Sequence, residues 1–329
     1  MMPNRKHFAL YLVVALTLFP ALLGSSGCVA SEVEPSPRER IVFGFSQLGA
    51  ESEWRSSSSE DIRNAAERAG IQLIFDNAQQ KQFNQIKAIR SFILNRVDVI
   101  AFCPIVEEGW DNILLEAKDA GIPVILVDRF IETDQQGLYC AFIGSDFYTE
   151  GVKAGEWLMG KFAKDAQPVL VAEIRGTDYS SPTIGRRDGL REVFSTDPRF
   201  QVVTSISGDF MRSKGRECME SILLEHPEVN VLYAHNDDMA MGAIEVMEEA
   251  GIRPGRDIVI VSVDAQKSGL EALKAGKINC LVECNPYIGD ELMDLAEKIV
   301  SGQPYPPVTY THETVFTEDD DPALLPVRP

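Results

Sequence analysis

The run Val231-Leu232-Tyr233-Ala234-His235-Asn236-Asp237-Asp238-Met239-Ala240-Met241-Gly242 is an apolar, strand-like segment that ends in one amide and two carboxylates. A helix-like pattern carrying Met239, Ile244 and Met247 follows it directly. In an open α/β sheet, ligands bind outside the carboxyl ends of the strands, so this junction places hydrogen-bonding groups at the mouth of a sheet. Asp and Asn here are also good helix N-caps. One of Asp237 and Asp238 is expected to cap the helix, which leaves Asn236 as the better ligand candidate.

Outward from this junction, the same alternation fills the chain. Strand-like runs at 41–46, 71–75, 97–102, 122–127 and 142–145 are separated by helix-like runs at 55–69, 80–95 and 109–120. The pattern restarts with a helix at 148–162. Strands follow at 169–174, 201–206, 231–235, 258–263 and 278–282, with helices at 183–194, 212–224, 239–250 and 268–275. Short apolar strands between amphipathic helices predict βαβ units and parallel sheets. Near-continuous apolar runs such as 123–127 suit sheets covered on both faces. Two α/β sheets of similar size are therefore expected. A further helix at 289–300 and an extended piece at 308–316 come after the last strand of the second set, a pattern that fits a chain crossing between lobes more than once.

Other strand ends carry similar chemistry. The first leads into Glu51, Trp54 and Arg55, where an indole face can meet the C–H side of a sugar and the charged groups can satisfy hydroxyls. Asp128 and Arg129 end the fourth strand and can hold each other's charge while presenting hydrogen bonds. Asp264 and Glu283 end two later ones. Singly, each has an ordinary explanation as a cap, an ion pair or a half-buried aromatic. Together they form a polar set on apolar strands, where an unpartnered buried group costs about 1–3 kcal/mol. A polyhydroxylated ligand would satisfy them. No GxSxG, Walker A, HExxH or post-strand GxGxxG motif occurs. A carboxylate pair for glycoside hydrolysis remains open by composition, but carboxylates beside Arg and Asn suit binding better than acid catalysis.

With 329 residues, 45% apolar and 25% charged, the chain has the composition of a two-domain globular protein and not of a disordered one. A net charge of −19 argues against nucleic acid as a partner. Arg5 and Lys6 precede an apolar run from Phe8 to Leu23 and small residues before Cys28, the order of a secretory leader. The leader is expected to span 1–27, with a flexible linker over 28–40. Cys28 resembles the lipid-modified cysteine of bacterial lipoproteins, which would tether the chain to a membrane. Cleavage after Ala30 without lipidation is the competing reading, and Ser25 departs from the usual leucine. The five remaining cysteines include no CxxC pair, and no zinc pattern emerges. Cys280 and Cys284, about 13 Å apart at strand rise, are too distant to bridge.

Several motifs resemble one family in combination. They are Gly44-Phe45-Ser46-Gln47 with Glu51, Trp54 and Arg55; the run from Asn84 to Phe92; Leu126-Val127-Asp128-Arg129; Ser207-Gly208-Asp209-Phe210 with Arg212-Ser213-Lys214-Gly215; and Tyr233 to Met239. Over residues 41–316 the chain is similar to type I periplasmic sugar-binding proteins of the ribose/galactose class, most of all to the galactofuranose-binding proteins of bacterial ABC import systems. The resemblance implies two Rossmann-like lobes joined by three crossings near 145–146, 283–285 and 308. The first lobe would comprise 41–146 and 285–308, the second 147–284 and 309–316, with 317–329 a frayed tail. The implied ligand residues are Glu51, Trp54, Arg55, Asp128, Arg129, Arg186, Phe210, Asn236, Asp264 and Glu283, with Phe210 stacking opposite Trp54. The resemblance also implies a monomer that binds a monosaccharide, needs no cofactor or metal, and delivers its ligand to an ABC permease and its ATPase. A sugar sensor serving a membrane kinase or chemoreceptor would read the same way. Arg175, Phe147 and Cys284 depart from the family pattern near the cleft or hinge.

Overall fold

The computed structural model describes residues 40–328; the leader, Cys28 and nearly all of the linker lie outside them. The first lobe runs β1 (Val42–Gln47), α1 (Glu53–Arg68), β2 (Gln72–Asn77), α2 (Gln82–Leu94), β3 (Val99–Phe102), α3 (Asp111–Asp119), β4 (Val124–Val127) and β5 (Ala141–Gly144). The second runs α4 (Phe147–Lys161), β6 (Val169–Arg175), α5 (Ser181–Phe194), β7 (Phe200–Ser207), α6 (Arg212–Glu225), β8 (Val231–Ala234), α7 (Asp237–Glu249), β9 (Val259–Asp264), α8 (Lys267–Lys274) and β10 (Cys280–Glu283). Then α9 (Gly289–Val300), β11 (Val308–Tyr310) and β12 (Val315–Thr317) complete the chain.

The two sheets repeat one topology. Their strand orders are β11-β5-β4-β3-β1-β2 and β12-β10-β9-β8-β6-β7. All pairings are parallel except β10 with β12. In each sheet the order reverses beside the first strand, at β1/β3 and at β6/β8, and such switch points open a crevice at the strands' carboxyl ends. Apolar clusters cover both faces of each sheet, which explains why β3, β4 and β8 are buried at every position.

The expected alternation of elements is present, and two details differ from the sequence reading. The final extended piece is two strands: β11 pairs with β5 in the first sheet and β12 with β10 in the second. The third crossing therefore falls at 311–314, not at Val308. The tail expected to fray is docked through residue 328. Thr317 belongs to β12, Leu325 is buried in the second lobe's core, and the Arg328 guanidinium donates to Glu283. All five described cysteines are free, four of them buried.

Candidate functional site

A closed-down cavity lies between the lobes at the two switch points. Its free volume is about 20 Å³, little more than one water, so a larger ligand requires the lobes to part. Its wall includes Glu51, Trp54, Arg55, Asp128 and Arg129 from the first lobe, and Arg186, Phe210, Asn236 and Asp264 from the second. Nine of the ten residues picked from sequence thus meet at one place.

Arg55 organises the first wall. It sits in the first turn of α1, where Ser52 caps the helix by accepting from the Arg55 N–H at 3.1 Å. Its guanidinium donates to Asp128 Oδ2 at 2.8 Å, to Glu51 Oε1 at 3.2 Å and to Gln47 Oε1 at 3.3 Å. Asp128 is held most closely by Arg55, and Arg129 Nε forms a longer ion pair with it at 3.8 Å; the adjacent Asp-Arg pair shares charge but not a hydrogen bond. Arg129 instead donates to the Ile105 carbonyl at 3.1 Å and stands over the Phe210 ring. Burial lowers its pKa from the ordinary arginine value. Among the described residues, Glu51 Oε2 and Arg129 Nε are buried without a hydrogen-bond partner, one an acceptor and the other a donor.

Arg186, on α5, organises the second wall. Its Nε donates to Glu150 Oε2 at 2.6 Å and its Nη1 to the His235 carbonyl at 2.5 Å, with Asp264 at 3.9 Å. Burial opposes this charge, yet Glu150, Cys284 and Asp264 keep the guanidinium well above its ordinary value. Burial likewise pushes the Asp264 carboxyl well up, with Arg186 opposing the shift. Asp128, Phe210 and Asp264 all adopt positive φ, at 65°, 62° and 120°. Left-handed backbone at non-glycine residues costs of order 1–3 kcal/mol each and concentrates where function requires it.

Asn236 itself is the N-cap of α7, accepting from the Met239 N–H at 3.0 Å, while its Nδ2 donates to the Phe210 carbonyl at 3.1 Å. The cap expected of Asp237 or Asp238 belongs to the residue expected to be free for ligand. Asp237 turns inward to Ser262 and the Gln266 N–H. Glu283 does not line the cavity: its carboxylate takes the Thr314 N–H and Arg328. Cys284 lines it instead, and its carbonyl receives the Trp54 indole N–H at 2.7 Å. Ser52, Phe147 and Pro182 complete the wall. Strand parity, which sends Glu283 and Cys284 to opposite faces, is the signal that identifies Cys284; Pro182 carried none beyond opening a helix.

Beneath Arg186, the three crossings meet. Ser145 Oγ lies 3.3 Å from both Cys284 Sγ and Thr311 Oγ1, and Thr311 donates to Glu313 Oε1 at 2.9 Å. Glu150, Cys284 and Glu313 bring potential ligand atoms within 4.8 Å, so this group could hold a metal ion. Its carboxyls also answer to protons. Burial raises Glu150, and burial together with the Glu150 charge raises Glu313 to about 8. Burial raises Asp237 to about 7. The folded protein therefore holds protons that the unfolded chain releases above the ordinary carboxylate range. Stability is expected to fall as pH rises from about 5 toward 8. Urea denaturation midpoints across that range check this, and Glu313→Gln should flatten the slope; a wild-type midpoint that rises would contradict it.

Comparison with known proteins gives a consistent set. The periplasmic binding protein domain matches residues 43–304. The galactofuranose-binding protein YtfQ of Escherichia coli strain K12 is 40% identical over 283 residues, 85% of this chain and 88% of that protein. A Mycobacterium smegmatis structure in complex with β-D-fucofuranose is 47% identical with a TM-score of 0.83, covering 84% of this chain and 91% of that one. The periplasmic component of the arabinose ABC transporter from Shewanella sp. ANA-3, bound to α- and β-L-arabinofuranose, is 42% identical with a TM-score of 0.82, covering 85% and 92%.

Proposed function

The chain belongs to the periplasmic binding protein family, and from that premise we propose that it captures one furanose-form monosaccharide between its lobes and delivers it to the permease of an ABC importer, whose ATPase supplies the energy. The observation that carries this reading is the cavity wall. Three arginines and three carboxylates, Glu51, Asp128 and Asp264, line it from both lobes beside Trp54, Phe147 and Phe210. Paired arginines and carboxylates suit vicinal hydroxyls, which donate and accept together. Flat apolar faces suit the C–H side of a ring. Glu51 Oε2 and Arg129 Nε, without hydrogen-bond partners among the described residues, would take one hydroxyl as donor and one as acceptor.

Fucofuranose, arabinofuranose and galactofuranose in the names and complexes of the relatives support the furanose ring form. No catalytic step is assigned to the carboxylates, each of which is ion-paired with an arginine. Export by the 1–27 leader, tethering at the membrane through lipid on Cys28, and action as a monomer at the periplasmic face or cell surface belong to the same proposal.

Calorimetry tests it. D-Galactose, D-fucose and L-arabinose are expected to bind with one site per chain. Their methyl pyranosides, which cannot open to the furanose, are expected not to bind. Because only the furanose fraction is competent, the apparent Kd should exceed the intrinsic one by the inverse of that fraction. Equal binding of the methyl pyranosides would overturn the ring-form assignment, and silence across the panel would overturn the sugar reading.

A further inference from the structure

Asp238 is the second residue of α7 and does not cap it. Its Oδ2 accepts the backbone N–H of Glu53 at 2.7 Å, across the cleft, from a residue 185 positions away. Glu53 is the first residue of α1, and the first four N–H groups of a helix have no partner within it. Ser52 satisfies the donor at Arg55; the donor at Glu53 is satisfied from the other lobe. A carboxylate at a helix N-terminus is further favoured by the helix dipole. The contact is reciprocated, since Ser268 at the start of α8 donates to Glu53 Oε2 at 2.5 Å. Two helix starts of the second lobe thus grip the first turn of α1. That turn also carries Trp54 and Arg55, which form the cavity wall, while Asp238, Glu53 and Ser268 do not line it.

We propose that Asp238, Glu53 and Ser268 form an interlobe latch: positioning residues that set how far the closed state is populated, and hence how tightly ligand is held, without touching ligand. Hydrogen bonds of this length exist only with the lobes together, so their free energy is realised on closure alone. Any bias toward the competent closed state raises apparent affinity in proportion to its population. The inference rests on the reading of the cleft as a binding site that closes.

The test uses Asp238→Ala, Asp238→Asn and Ser268→Ala in the full mature chain, with D-galactose and L-arabinose as probes. Asp238→Ala is expected to raise Kd about tenfold, the change for loss of one charge-assisted hydrogen bond, mostly through faster release in stopped-flow tryptophan fluorescence. Asp238→Asn keeps an oxygen acceptor for the Glu53 N–H and should recover most of the affinity; Ser268→Ala should give a smaller loss. A second readout needs no sugar. Amide hydrogen exchange in the peptide containing Glu53 should quicken in sugar-free Asp238→Ala and return toward wild type in Asp238→Asn. Unchanged exchange in Asp238→Ala overturns the latch. If wild type binds neither sugar, the choice of ligand fails while the exchange result still decides the latch.

Discussion

Arg186→Leu is expected to abolish sugar binding and to lower folding stability by about 3–5 kcal/mol, the range for removing one partner of a buried charge pair. The Arg186 side chain is 3% exposed and its guanidinium serves two groups at close range, Glu150 at 2.6 Å and the His235 carbonyl at 2.5 Å. Without it, the Glu150 carboxyl loses its ion-pair partner, and its other oxygen, Oε1, already lacks a hydrogen-bond partner among the described residues. The His235 carbonyl loses its donor just before Asn236, the cap of α7, so the damage extends to the cavity wall. Arg186→Lys retains charge but cannot reproduce the planar fork, and should recover part of the stability with little of the binding. The decisive comparison is Arg186→Leu with Glu150→Gln. If most of the loss is a stranded carboxylate, the double variant will be more stable than Arg186→Leu alone. Urea denaturation at pH 7 measures this, and calorimetry measures the binding. An Arg186→Leu protein of wild-type stability would show that the pair contributes nothing net.

The architecture was legible because burial on both sheet faces leaves few ways to write a strand. Val231–Ala234 and Val124–Val127 are apolar throughout, and the turns between elements fall at glycines such as Gly70, Gly121 and Gly251, all with positive φ. What escaped the sequence depended on which neighbour a side chain meets. Residues 308–316 read as one extended piece because no local feature marks a change of sheet. Asn236, Asp237 and Asp238 are equally good caps by type, and tertiary partners choose among them: Phe210 and Met239 for the first, Ser262 and Gln266 for the second, Glu53 for the third. Glu283 had the chemistry of a ligand residue but the wrong parity. Leu281, two residues before it, packs in one core of the second lobe, while Val282 and Cys284 share the other with Trp54 and Phe147. Arg328, in a tail that sequence offered no reason to order, then satisfies the Glu283 charge.

Gly176→Ala is expected to reduce sugar affinity at least about tenfold by displacing a residue it does not adjoin in sequence. A Cβ at Gly176 would lie 1.8 Å from Phe210 Cζ and 2.2 Å and 2.3 Å from its Cε atoms, far inside van der Waals contact. The ring has little freedom to yield. Phe210 already sits at φ 62°, its carbonyl is bonded to Asn236, and the guanidiniums of Arg129 and Arg186 stand 5.2 Å and 5.9 Å from the ring. Overpacking of such a site costs about 1–3 kcal/mol, and relief by ring movement reshapes the wall that faces the ligand. Phe210→Ala alone should also weaken binding, by loss of the aromatic face. The two effects share one ring, so Gly176→Ala added to Phe210→Ala should cost almost nothing further, whereas independent effects would add. Additive losses in calorimetry would place the action of Gly176 on the backbone just after β6 and not on the ring that covers it.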